Sequence, residues 1–257
     1  MAEPPLLTLS GGVRIPQLSA GVSGAPAPET ARVVRIALEV GYRGVDTAAG
    51  NEAEVGAAIA ASEVAREDLF VTTRPPGHGY DETLRAFDLS LAAFGLDRLD
   101  LYLVPGPAAG ALDTWRALVR LHGEGRVRAI GVSDFPESAL RRLIDETGVA
   151  PALNQVELHP WRQQVPLREF QATHGILTGA TSPLARGVPL GDETVKALAA
   201  KYGKTPAQIV LRWHLQLGVA AVPKSAIVSR IRDNFEITDF ELADDDVMVL
   251  SELDNTR

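Results

Sequence analysis

The sequence predicts an α/β chain: a (β/α)8 barrel with an N-terminal β-hairpin and extra helices at its C-terminal end. Three observations predict it. Strand-like and helix-like segments alternate through eight repeats, which implies parallel strands joined by right-handed crossovers. The length, 257 residues, suits a barrel of roughly 250. No Ser/Gly-rich linker or composition shift divides the chain, so residues 1–257 are read as one domain. An open doubly wound sheet is the competing architecture, but no Gly-x-Gly-x-x-Gly follows an early strand.

Each element has its own signal. Residues 7–15, LTLSGGVRI, are two short alternating runs about Ser10-Gly11-Gly12, a hairpin pattern. Residues 18–21 form the first barrel strand. Residues 29–40 read as a helix with Val33, Val34, Ala37 and Leu38 on one face and Gly41 as its stop. A strand ends at Asp46. A helix over 51–61 places Val55 and Ile59 four apart, and a buried strand follows at 69–73. Residues 81–94 carry Leu84, Phe87, Leu91 and Phe94 on one helical face, with a strand at 99–104. Next come a helix at 112–121 and a strand at 127–132. Asp134 is read as the cap of the following helix, with Pro136 early, where its missing N–H does no harm. Strands at 153–158 and 176–180 flank a helix at 165–173. A helix at 193–202 precedes the capping box Thr205-Pro206-Ala207-Gln208, which opens a helix to 217. The last strand is 219–222, and helices at 227–235 and 243–253 close the chain.

Composition excludes several roles. There is no cysteine, hence no disulfide or thiolate chemistry. The net charge is −8 with scattered acids, unlike the clustered Lys and Arg of a nucleic-acid footprint. No run approaches the roughly 20 apolar residues of a membrane span. The opening MAEPPLLTLSGG lacks a basic n-region and a long apolar run, so no signal peptide is expected and the location expected is cytoplasmic. His122, His174 and His214 sit on helices without ligand spacing, so no metal site is predicted.

In a barrel, chemistry gathers at the C-terminal strand ends. Those ends carry Asp46, Arg74, Pro105, Ser133-Asp134, Gln155 to Glu157, Thr181-Ser182 and Lys224-Ser225. Around them the chain resembles the aldo-keto reductases, in their 2,5-diketogluconate-reductase-like branch. The resemblance runs through GVDTAA, GNEAEVG, GYDETLRAF, DLYLV, GRVRAIGVSDF, PALNQVELHP, TSPLARG, KTPAQIVLRWHLQLG, VPKS and ITDFEL, nearly the whole chain.

The resemblance implies NADPH. Lys224, Ser225, Arg230 and Asn234 match residues that hold its adenosine end, and Asp233 stands where the family often has Glu near the adenine. The chemistry agrees: a 2′-phosphate dianion suits a guanidinium fork, an ammonium and a hydroxyl. Arg230 and Asn234, four apart, share a helix face. On the nicotinamide side the resemblance implies Ser133, Asp134 and Gln155, and it adds Ser182 and Leu184 of TSPLARG as cofactor-binding residues. Asp134 replaces an Asn, and an ionised Asp only accepts hydrogen bonds. Thr181 replaces an aromatic ring, so this side of the site reads as degraded.

The resemblance also implies a catalytic tetrad of Asp, Tyr, Lys and His. Asp46 matches the Asp. The run from Asp46 to Glu52 lacks the segment carrying the Tyr, Arg74 takes the place of the Lys, and Pro105 that of the His. A positioned general acid contributes roughly 10²–10⁴-fold. Proline has no donor, and Arg does not give up a proton. Asp46 and Arg74 are the candidate catalytic residues, with a plain ion pair as the preferred reading. His78 reads as an exposed loop residue, Tyr80 as scaffold, and Glu157 and His159 as structural. The expectation is an atypical NADPH-dependent oxidoreductase whose acceptor needs little acid catalysis, such as an iminium or an activated enone. The alternatives are a non-redox cyclase, dehydratase or isomerase, and an NADPH-binding pseudoenzyme with a regulatory role. The expected partner is a small molecule, with no nucleic acid or membrane, and the chain is expected to be a monomer.

Overall fold

The computed structural model describes residues 5–254; residues 1–4, where the reading of the leader begins, and 255–257 lie outside the described residues. Strands β1 (Leu6–Thr8) and β2 (Arg14–Pro16) form the antiparallel hairpin, with Leu7 opposite Ile15. Eight parallel strands then follow in chain order: β3 (Ser19–Gly21), β4 (Gly44–Asp46), β5 (Phe70–Thr73), β6 (Leu99–Val104), β7 (Val127–Ser133), β8 (Leu153–Glu157), β9 (Leu177–Thr181) and β10 (Ala220–Ala221). Each pairs with its predecessor, and bridges from Leu18 to Ala221 and from Gly21 to Lys224 join the last strand to the first. The sheet thus closes on itself as a barrel. β4 passes β3 so closely that a Cβ on Gly44 would lie 2.1 Å from Ser19 Oγ.

The helices form the outer layer: α1 (Ala27–Val40), α2 (Glu52–Ala60), α3 (Tyr80–Phe94), α4 (Ala111–Gly123), α5 (Glu137–Thr147), α6 (Val165–Thr173), α7 (Glu193–Tyr202), α8 (Pro206–Gln216), α9 (Val228–Phe235) and α10 (Asp244–Ser251). The Thr205–Gln208 capping box is present in full. The large apolar cluster lies between strands and helices, with Trp115, Phe87 and Tyr42 buried within it. A second cluster sits inside the barrel. There Leu9 and Ile15 of the hairpin segment meet Phe70, Leu101, Ala129 and Leu153, from the early part of β5 to β8. The hairpin therefore plugs the N-terminal end and leaves the C-terminal end to open outward.

One local expectation fails. Asp134 does not cap α5; the residue at the cap is Pro136, and no side chain caps this helix. The residue before a proline is kept out of the helical region, so the helix starts too late for Asp134 to reach its first turn. Asp134 is instead left-handed, with φ 57°. Among the described residues, no helix is long and apolar enough to cross a membrane, and no cluster of His, Cys, Asp or Glu could hold a metal ion.

Candidate active site

A cavity of about 1130 Å³ opens at the C-terminal end of the barrel strands. Its inner end is lined by Asp46, the last residue of β4, and Arg74, the residue after β5. The short loop leaving Asp46 turns at Gly50, with φ 101°, straight into α2. Asn51 straps that turn to the neighbouring loop: its Nδ2 donates to Ala25 O at 2.7 Å and to Thr30 Oγ1 at 2.8 Å, and its Oδ1 accepts from Gly24 N at 2.8 Å.

The inner residues form a closed polar triangle. Arg74 Nη2 donates to Asp46 Oδ1 at 2.6 Å and to Gln155 Oε1 at 3.0 Å, and Gln155 Nε2 donates to Asp46 Oδ2 at 2.9 Å. Arg74 Nη1 reaches Ser133 Oγ at 3.4 Å, and that hydroxyl donates to Asp134 Oδ2 at 3.4 Å. The Asp46 and Arg74 side chains are 6% and 16% exposed. Removing one partner of such a pair strands a buried charge and costs about 3–5 kcal/mol. Pro105, after β6, brings no donor to this end. The expected ion pair is thus present, and it holds Gln155 as well as Asp46.

The outer end is built differently. Lys224, Ser225, Arg230, Asp233 and Asn234 all line the cavity, as do Ser182 and Leu184. α9 presents Arg230, Asp233 and Asn234 on one face. Lys224 Nζ donates to Ser23 O at 2.7 Å across the mouth, and Ser225 Oγ accepts from Ile227 N at 3.1 Å, fixing the approach to α9. Arg230 is exposed and forms no ion pair with a described carboxylate. Ser133, Asp134 and Gln155 are the expected site residues that do not line the cavity.

The cavity adds residues that the sequence reading passed over: Arg186, Ser23 and the Thr205 to Ala207 turn. Arg186 follows TSPLA directly, and its charge after that motif was the available signal. Ser182, Ala185 and Arg186 all have positive φ, 46°, 46° and 56°, an uncommon conformation for residues with a side chain. His78 differs from its reading too. It is half-buried, its Nδ1 is buried without a partner, and burial holds its pKa below the usual value. The loop carrying Gly110 passes close by: a Cβ on Gly110 would lie 3.2 Å from the His78 Cβ. Glu157 binds Arg162 at 2.8 Å and lies 3.6 Å from His159 Nε2, a local arrangement that fits their structural reading.

The whole assembly has known counterparts. The Aldo/keto reductase family pattern matches residues 11–255. The "Methylglyoxal reductase DkgA" of Yersinia pestis is 46% identical over 99% of this chain and 94% of its own length. The crystal structure of an aldo/keto reductase from Brucella melitensis superposes with a TM-score of 0.95 at 46% identity, covering 98% of this chain and all (100%) of that one. A structure of a Gox0644 mutant in complex with NADPH gives a TM-score of 0.95 at 41% identity, over 100% of this chain and 95% of that one. This chain belongs to the aldo/keto reductase family.

Proposed function

We propose that this aldo/keto reductase binds NADP(H) along the cavity and does not use the family's acid-assisted carbonyl reduction. One observation carries the proposal: the phosphate-binding set and the Asp46–Arg74 pair line the same cavity. The donor set fits the nucleotide. Arg230 offers a guanidinium fork that forms no ion pair with a described carboxylate, Lys224 an ammonium at the mouth, and Ser225 and Asn234 neutral polar groups beside them. Asp233 lies on the same helix face, an acceptor that would suit the adenine amino group. A structural neighbour was solved with NADPH bound. The 2,5-diketogluconate-reductase-like branch is part of the same reading.

NADPH, when bound, supplies a hydride. The chain's own residues at the inner end supply charge and order but no transferable proton. Arg74 is committed to Asp46 and Gln155, and a guanidinium does not act as an acid near neutral pH. Without the Tyr-bearing segment, and with Pro105 in place of a donor, the proton that a carbonyl acceptor needs would have to come from water. The acceptors that suit this site are therefore iminium ions or activated enones. A second reading, binding without turnover, is favoured by the placement of Gln155 and Ser133 beneath Arg74. The same reading takes the chain as a single cytoplasmic domain, a monomer, acting on a small molecule.

The test is calorimetric titration with NADPH on wild type and Arg230→Ala, followed by nicotinamide absorbance with an enone, an iminium and methylglyoxal. Binding that weakens in the variant, with no methylglyoxal turnover, is the expected result. Methylglyoxal reduction at an ordinary enzymatic rate would overturn the mechanism, and no NADPH binding would overturn the proposal whole.

A further inference from the structure

We infer that the cavity takes 2′-phosphoadenosine nucleotides as a class, and that Arg74 makes it indifferent to the group at the nucleotide's other end. The inference rests on the NADP(H) reading above and deepens it. The cavity is one space with two polar ends. A dinucleotide whose ribose phosphate meets Arg230 and Lys224 must direct its other end toward Asp46 and Arg74. Of the side chains that the reading above assigns to the nicotinamide carboxamide, Gln155 and Ser133 can both donate and accept, and each is 3% exposed. Neither lines the cavity, whereas Arg74 does.

The cover is held firmly. Gln155 is engaged at both ends of its carboxamide, by Arg74 at 3.0 Å and by Asp46 at 2.9 Å. Ser133 Oγ is shared between Arg74 and Asp134. A ligand amide reaching for either group has to displace a guanidinium that is bonded to a buried carboxylate at 2.6 Å. Thr181 lines the same cavity without a ring to stack on. With Gln155 and Ser133 engaged by Arg74 and Asp46, this end has little left to reward one redox state of a nicotinamide over the other, or a nicotinamide over its absence. At the opposite end Arg230 and Arg186 stand exposed, free of ion pairs to described carboxylates.

The experiment is isothermal titration of the full chain with NADPH, NADP+ and adenosine 2′,5′-bisphosphate. Dissociation constants within about fivefold of one another are expected. Two well-made hydrogen bonds to a nicotinamide carboxamide would separate the dinucleotides from the bisphosphate by roughly tenfold to a hundredfold. A gap of about tenfold or more, or a similar gap between NADPH and NADP+, overturns the inference and leaves the NADP(H) reading standing. No binding by any of the three overturns both. Arg74→Met uncovers Gln155 and Ser133, and is expected to raise the preference for NADPH over the bisphosphate to about tenfold. If Asp46, left unpaired, prevents folding, Asp46→Asn/Arg74→Met makes the same test. An unchanged ratio in the folded variant removes Arg74 from the account.

Discussion

At the Arg230 end of the cavity the cations are exposed and form no ion pair with a described carboxylate. At the Arg74 end the charges are buried and bonded to each other. Both ends lie on the same barrel mouth and contribute to one cavity. The difference separates two uses of charge. A cation left unpaired at a surface costs little, because water solvates it, and it keeps its full attraction for an incoming anion. A buried pair has already spent that attraction internally. The outer end leaves its cations free to meet an anion, and the inner end holds its charges to each other.

Substitutions at the two ends should therefore fail in opposite ways. The largest effect is expected from Arg74→Ala, which strands Asp46 and should lower unfolding stability in urea by about 3–5 kcal/mol. Affinity for adenosine 2′,5′-bisphosphate, which reaches only the outer end, should change little. An unaffected stability would break the comparison, since it would mean the triangle holds nothing.

Acid sharpens it next, through a fully buried group elsewhere in the barrel wall. His214 on α8 is fully buried, with Nδ1 2.7 Å from Val210 O and Nε2 2.9 Å from Leu158 O. Burial pushes the imidazole down to about 4, although the two carbonyls favour its protonation. As pH falls the unfolded ring, near 6.5, takes its proton first. This stabilisation is full above about pH 6.5 and fades toward pH 4, a loss of up to about 3 kcal/mol. Urea midpoints measured between pH 7 and 4 should drop accordingly, and His214→Gln should flatten the curve. A wild-type curve already flat would show that the carbonyls win over burial.

Arg230→Ala is the converse of the Arg74 variant. Losing a guanidinium–phosphate contact should weaken NADPH by about tenfold to a hundredfold, with the melting temperature of the free protein unmoved. The smallest effect is expected at Arg186→Ala, about twofold to fivefold in the same titration, because an exposed loop cation is screened by solvent. A larger loss there than at Arg230 would relocate the anion site to the loop after β9.

Much of the barrel was legible in the sequence because strand and helix periodicities alternate without interruption and turn signals separate them. Boundaries fall within two residues of their expected places. The outer cavity was legible for a related reason. Lys224, Ser225, Arg230 and Asn234 are close in sequence, and a strand end leading into one helix brings them together. The inner end was only half legible. That Asp46 meets Arg74 followed from adjacent strands, but Gln155 comes from β8 and its capture by Arg74 depends on the barrel's closure. Asp134 was misread as a cap because the cap pattern ignores what Pro136 does to the residue before it. His78 reads as exposed because Gly-His-Gly suggests a loop tip; in the fold it is half-buried and lies close to Gly110, a residue in a different loop.

The most direct test of the central claim, that the outer end is a site for a 2′-phosphate, is a paired calorimetric titration of the wild-type chain with NADPH and NADH. The account predicts that NADPH binds at least about tenfold more tightly, the worth of one charge-assisted phosphate contact. Equal affinity for the two, or heat from neither, would contradict it.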